Sequence, residues 1–237
     1  MPLNLEDDKI VRIAAVLVSA HAVADFALQT RTIYQRKSNP LVLALHALIH
    51  GAVSYLFLQS WNLWQLPLLL FLSHALIDGA KLRLSDDGAP GFLLDQAAHL
   101  AAIALLLRLA LDIGWIAAFD GRAYRAIVLL GGLVLTVRAA GFLIGKVSTR
   151  ITRENRLELD GLRNGGMLIG QLERLLVFLL VLIGQPMAIG FLVAAKSILR
   201  FPVAEHRKMA EYVLIGTLMS FTAAIVLALL TSWALSR

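Results

Sequence analysis

The chain has no cysteine among its 237 residues, and only 16% of them are Asp, Glu, Lys or Arg. The first absence excludes a disulfide framework and any thiolate metal site, so a bound metal must be held by His, Asp, Glu or backbone oxygen. The second excludes an ordinary soluble domain, in which about a quarter of residues are charged. Alternating strands of about ten residues, the mark of a transmembrane β-barrel, are missing as well. There is no phosphate-cradling loop of the GxxxxGK type and no basic patch interleaved with aromatics, so the net charge of +6 does not imply nucleic acid. What fills the chain instead is 59% hydrophobic residues, with a mean hydropathy of +0.75. These residues come in runs of about 18 or more, each able to cross a hydrocarbon layer about 30 Å thick. The expected fold is an all-α, polytopic transmembrane helical bundle.

Apolar runs bounded by charge, Pro or Gly predict eight helices at about 10–28, 40–58, 63–80, 95–118, 126–146, 166–184, 186–200 and 210–235. The seventh is short and carries Lys196 and Arg200, which suits a re-entrant or strongly tilted segment. The acidic start, Leu5-Glu-Asp-Asp-Lys-Ile, and the lack of a small-residue cleavage site read as a retained first helix. Fourteen Lys and Arg residues fall in the connections after the odd-numbered segments and five on the opposite face. The positive-inside rule then places the odd connections in the cytoplasm and both termini outside. The chain reads as one membrane domain in two parts: 1–147 with helices one to five, a cytoplasmic connection at 148–165, and 166–237 with helices six to eight.

Five of the six histidines lie in the first 99 residues, and each belongs to an i, i+4 pair: His21 with Asp25, His46 with His50, His74 with Asp78, and Asp95 with His99. Residues four apart share a helix face. Random placement gives roughly 0.6 such pairs by simple counting, whereas four occur, one on each of the first four helices. With these helices alternating in direction, every pair falls in the cytoplasmic half. His21, His50, His74 and His99 form a deeper layer; Asp25, His46, Asp78 and Asp95 lie one turn, about 6 Å, nearer the cytoplasm. Ionisable groups in lipid cost several kcal/mol unless they face one another, and so mark functional sites. All eight are candidate ligands for a divalent transition metal, zinc or manganese, bound as one ion or two. A hydrogen-bonded polar core and a metal-free proton relay are the alternatives. Gln29, Lys81 and Gln96 flank the pairs, as groups that orient a ligand or as residues that snorkel to water.

The later helices hold a second set, Glu173, Arg174, Lys196, Arg200 and Glu211, again toward the cytoplasmic face. It reads either as an anion or headgroup site or as structural ion pairs. Arg108 and Asp112 form an i, i+4 pair that neutralises itself. Gly131, Gly141, Gly145 and Gly170 read as close helix packing, and Trp61, Trp64, Trp115 and Trp233 as an interfacial belt.

His-Ala-Val-Ala-Asp-Phe-Ala-Leu-Gln at 21–29, Leu-Ser-His-Ala-Leu-Ile-Asp at 72–78 and Leu-Asp-Gln-Ala-Ala-His at 94–99 resemble the bacterial membrane family named domain of unknown function 3307. So do Ile-Gly-Gln-Leu-Glu-Arg at 169–174, Ala-Ala-Lys-Ser-Ile-Leu-Arg-Phe at 194–201 and Glu-Tyr-Val-Leu-Ile-Gly-Thr-Leu at 211–218. The resemblance covers nearly the whole chain. It implies a multi-pass protein of the bacterial inner membrane and brings no established activity. The His-x-x-x-Asp elements are also similar to integral-membrane proteins labelled metal-dependent hydrolases. The leading expectation is therefore hydrolysis of a lipid or lipid-linked substrate at a His/Asp metal site, with Asp25, Asp78 and Asp95 as catalytic carboxylates. A metal-ion or proton transporter using the same residues, and a non-catalytic assembly protein with a structural polar core, are the other two readings. The outer halves of helices one to three, almost purely apolar, weigh against transport.

Overall fold

The computed structural model describes residues 5–83, 88–114, 121–157, 162, 164–199 and 207–237, the side chains of 5–7 and 197–199 excepted. Its regular structure is helical, with no strand among the described residues. In chain order the helices are α1 (Leu5–Ala22), α2 (Arg31–Arg36), α3 (Pro40–Leu58), α4 (Gln65–Lys81) and α5 (Ala89–Asp112). They continue with α6 (Gly121–Val134), α7 (Ala140–Asn155), α8 (Gly165–Leu182), α9 (Ala188–Leu199) and α10 (Arg207–Leu235). Two π-helical segments interrupt the regular winding, Val23–Leu28 directly after α1 and Leu135–Ala139 between α6 and α7.

Among the described residues, six helical stretches are long and apolar enough to cross a membrane: Asp8–Leu28, Pro40–Leu58, Ala89–Asp112, Gly121–Asn155, Gly165–Leu182 and Arg207–Leu235. Many large side chains on them face outward, including Leu41, Leu105 and Leu129, as a bilayer requires and water does not. Helix α4 has 17 residues, about 26 Å at 1.5 Å per residue, and α9 has 12 residues, about 18 Å. The expected segment at 186–200 thus forms a helix well short of the roughly 30 Å hydrocarbon thickness.

The chain divides into two compact units, one of residues up to Val134 plus Trp233–Arg237, the other Leu135–Ser232. In the first, α3 packs on α4, α1 on α3, α5 and α6, and α4 on α5. One end of this unit is an apolar core of Ile13, Val16, Leu17, Leu58, Leu66, Leu70, Ile103, Leu107 and neighbours. The Tyr124 hydroxyl donates to the Ala234 carbonyl at 2.7 Å, tying the end of α10 to α6. Helices α1 and α6 approach so closely that a Cβ built on Gly131 would lie 2.3 Å from the Ser19 Cβ, which is why only glycine fits there. In the second unit α8 packs against α7, α9 and the Leu135–Ala139 π segment.

Helix caps follow from local chemistry. The Thr30 side chain accepts from the Ile33 amide at 3.3 Å to start α2, and the Asn39 side chain accepts from the Leu41 amide at 2.9 Å to start α3, with Pro40 at the first turn. The short α2 therefore ends at a fixed place and presents Lys37, its C-cap residue, to the bundle.

Candidate metal centre

His21 and Asp25 sit at the C-terminal end of the first span, His46 and His50 in the first three turns of α3, His74 and Asp78 near the C-terminus of α4, and Asp95 and His99 near the N-terminus of α5. Because successive spans reverse direction, all four pairs arrive at the same end of the first unit. All eight residues are buried. The imidazoles form a stack in which the His50 and His74 ring centroids are 3.4 Å apart and those of His74 and His99 4.1 Å, with His21 at 5.1–5.8 Å from His50, His74 and His99.

Asp25 lies inside the Val23–Leu28 π segment, a wide turn of the kind often found at functional positions. From there its Oδ1 lies 3.0 Å from His50 Nε2, 3.1 Å from His46 Nε2 and 3.7 Å from His74 Nε2. His74 Nε2 is itself 3.2 Å from His46 Nε2. Four donor atoms from three spans thus surround one point. A tetrahedral ion with bonds of 2.0–2.1 Å has ligand atoms about 3.3 Å apart, so these spacings suit zinc or a similar ion.

His46 Nε2 has more polar neighbours than one ring nitrogen can serve with a single hydrogen bond. His46 Nε2 has Asp25 Oδ1 at 3.1 Å, Gln29 Nε2 at 3.1 Å, His74 Nε2 at 3.2 Å and Asp78 Oδ2 at 3.7 Å. A ring nitrogen carries either one hydrogen or one lone pair. A proton on His46 Nε2 faces the donor group of Gln29; a proton on Nδ1 instead enters a buried spot with no partner and sets the Nε2 lone pair against the Asp25 carboxylate. The donor atoms of Asp25, His46, His50 and His74 lie close enough together to hold a metal ion.

A second group comprises Asp78, Asp95 and His99, and a third, His21, His74 and His99, joins the two. Around them stand groups that orient the carboxylates. Lys37 Nζ is 2.6 Å from Asp78 Oδ2, and Lys81 Nζ is 2.7 Å from Asp95 Oδ2. Gln96 Nε2 donates to Asp25 Oδ2 and to Asp95 Oδ2, both at 3.3 Å, while its Oε1 accepts from His21 Nε2 at 3.2 Å. Gln29, Lys81 and Gln96, expected as orienting or snorkelling residues, all touch the cluster. Lys37 was counted only among the fourteen basic residues of the odd-numbered connections. Its contact depends on where the short α2 ends, which residue spacing does not reveal.

Beside the imidazoles is a cavity of about 20 Å³, room for roughly one water. It is lined by His21, His50, His74, His99, Ser54 and Ser73, and closed on the other side by Leu17, Leu70 and Ile103.

The later charged set lies in the second unit and finds partners there. Arg174 is buried; its Nε and Nη2 donate to the Val137 carbonyl at 3.3 and 3.0 Å, and its Nη1 to Ser220 Oγ at 3.2 Å. Val137 belongs to the Leu135–Ala139 π segment, whose altered bonding leaves a carbonyl for the guanidinium. Gly141 and Gly170 make room, since a Cβ on either would lie 2.7 or 3.1 Å from the Arg174 nitrogens. Lys196 Nζ is 2.6 Å from Glu173 Oε2, and Glu211 accepts from exposed Arg207 at 3.0 Å. Arg200 and Trp115 lie outside the described residues. Arg108 and Asp112 pair at 3.1 Å on the exposed face of α5.

All eight donors and the four groups that orient them fall in one continuous stretch of chain. Residues 13–120 match the family described as protein of unknown function, DUF3307. The DUF3307 match takes in the whole His/Asp cluster with Gln29, Lys37, Lys81 and Gln96, and it stops short of the later segments at 169–174, 194–201 and 211–218. No curated protein and no solved structure matches the chain. The likeness to metal-dependent hydrolases has no counterpart in these matches. DUF3307 therefore accounts for the part of the chain that builds the cluster and leaves its chemistry to be argued from geometry.

Proposed function

We propose that the protein is a metal-dependent hydrolase of the bacterial inner membrane, acting on a lipid or lipid-linked substrate at the cytoplasmic face. The observation that carries this is the convergence of Asp25 Oδ1 and the Nε2 atoms of His46, His50 and His74 at spacings that a bound ion satisfies. Three imidazoles and one carboxylate suit zinc first, then manganese. Such an ion lowers the pKa of a bound water and so provides a nucleophile at neutral pH. The small cavity against His50 and His74 would admit one such water. His21, outside that donor set, donates through Nε2 to Gln96 Oε1 at 3.2 Å and lies 3.5 Å from Asp25 Oδ2, so it would help to hold that carboxylate in place. The Lys and Arg distribution supports a cytoplasmic location for the cluster and outside termini. The apolar core of Ile13, Val16, Leu66 and Leu107 lies in the same unit as the cluster, which supports hydrolysis over transport.

The test uses the full chain purified into nanodiscs. Elemental analysis is expected to find at least one transition-metal ion per chain, and vesicles of bacterial lipid should release a water-soluble headgroup product. His50→Ala is expected to abolish that release. Absence of any transition metal above background, with His50→Ala indistinguishable from the parent, refutes the reading.

A further inference from the structure

We infer that the cluster holds a second divalent cation, bound by Asp78, Asp95 and His99 beside the ion at Asp25, His46, His50 and His74. This rests on the reading of the cluster as a metal centre and goes further by dividing it into two sites. Three observations carry it.

The first is a set of buried polar atoms without partners. Asp95 Oδ1 and His99 Nε2 are both fully enclosed and neither has a hydrogen-bond partner. They face each other at 3.7 Å, and Asp78 Oδ1 lies 3.7 Å from the same His99 nitrogen. A buried polar atom left unpaired costs about 1–3 kcal/mol, so two such atoms together call for a ligand. Contraction by a few tenths of an ångström brings both carboxylate oxygens to the distance from His99 Nε2 found around an ion with bonds near 2.1 Å.

The second is the way each carboxylate divides its two oxygens. Asp78 and Asp95 give their Oδ2 atoms to Lys37 at 2.6 Å and Lys81 at 2.7 Å, and both turn their Oδ1 atoms inward to His99. Gln96 adds a donor to Asp95 Oδ2 at 3.3 Å. This is how outer groups hold metal-binding carboxylates in place, one oxygen fixed and the other free to coordinate. A simple salt-bridge role for the lysines leaves the inward oxygens unexplained.

The third is the separation of the two donor sets. No residue of the Asp78, Asp95 and His99 group belongs to the Asp25, His46, His50 and His74 group, although Asp78 Oδ2 lies 3.2 Å from His74 Nε2 at their boundary. The groups are adjacent because the His74 and His99 rings stack at 4.1 Å. The chemistry differs as well. Three nitrogens and one oxygen suit zinc, whereas two carboxylates and one imidazole make a harder site that suits manganese equally. With only three protein donors, the second ion keeps open positions for water or an anionic oxygen of the substrate.

The full chain in nanodiscs, stripped with chelator and titrated with Zn²⁺ alone, provides the test, with bound metal counted after gel filtration. The expected stoichiometry is two ions per chain. Asp95→Asn and His99→Ala should each reduce it to one, and His50→Ala should also reduce it to one by emptying the other site. The ion each variant retains shows that the bundle still folds. One ion in the parent, with the count unchanged in Asp95→Asn, overturns the second site and leaves the proposed function standing. No ion in the parent overturns both. Loss of both ions in Asp95→Asn and in His50→Ala overturns the division into two separable sites.

Discussion

Gly131→Ala connects helix packing directly to the metal centre. The added methyl would lie 2.3 Å from the Ser19 Cβ and 2.6 Å from its Cα. No rotamer change at Ser19 relieves contacts to those two atoms. Carbon atoms pack at about 3.5–4.0 Å, so α1 and α6 must separate locally by about 1 Å. Overpacking of this kind costs about 1–3 kcal/mol, and at roughly 2–4 °C per kcal/mol for a chain of this size Tm should fall by several degrees. The displaced segment of backbone leads directly to His21 two residues later and Asp25 six residues later. Binding constellations tolerate about 0.5 Å of misplacement, so Zn²⁺ affinity should drop by about 10–100-fold, the range seen when the support of a ligand is lost. The assay pairs thermal unfolding with Zn²⁺ titration in nanodiscs. Gly145→Ala serves as the control, because a Cβ there meets nothing within 4 Å. An unchanged Tm in Gly131→Ala refutes the packing argument. A lowered Tm with unchanged Zn²⁺ affinity refutes the mechanical link between this interface and the site.

Lys37→Met removes the cation 2.6 Å from buried Asp78 Oδ2. Zn²⁺ binding should weaken by about 10–100-fold, and isothermal titration against the parent shows whether it does. Tyr124→Phe deletes the 2.7 Å bond to the Ala234 carbonyl at a buried position; a loss of about 0.5–1.5 kcal/mol is expected, read as a small fall in Tm with metal binding unchanged. Arg174→Lys keeps the charge and loses the fork that reaches both the Val137 carbonyl and Ser220. It should destabilise by about 1–3 kcal/mol without altering metal stoichiometry; a stability equal to the parent would show that the fork is dispensable.

Much of the cluster was legible because two periodicities coincide. The i, i+4 spacing of His21 and Asp25, His46 and His50, His74 and Asp78, and Asp95 and His99 puts each pair on one helix face, and the reversal of direction between successive spans puts all four at one end. Lipid makes that convergence necessary, since isolated ionisable groups are too costly there. The partners of Arg174, Lys196 and Glu173 were less legible. Spacing left open whether they meet an anion or one another, and the contacts of Arg174 with Val137 and Ser220 and of Lys196 with Glu173 join α8, α9, α10 and a π turn far apart in sequence.

By itself the sequence determined the solvent, the all-helical class and which end of the first four spans is polar. These depend on composition and on helical period, which are properties of neighbouring residues. Only the tertiary structure decided that Asp25 Oδ1, set on a π turn, meets His46, His50 and His74. It alone decided that Lys37 and Lys81 take one oxygen each of Asp78 and Asp95, and that Arg174 serves a backbone carbonyl. The physical reason is that ligand geometry is set to a few tenths of an ångström by helix ends, wide turns and glycine contacts. None of these leaves a periodic trace in the chain.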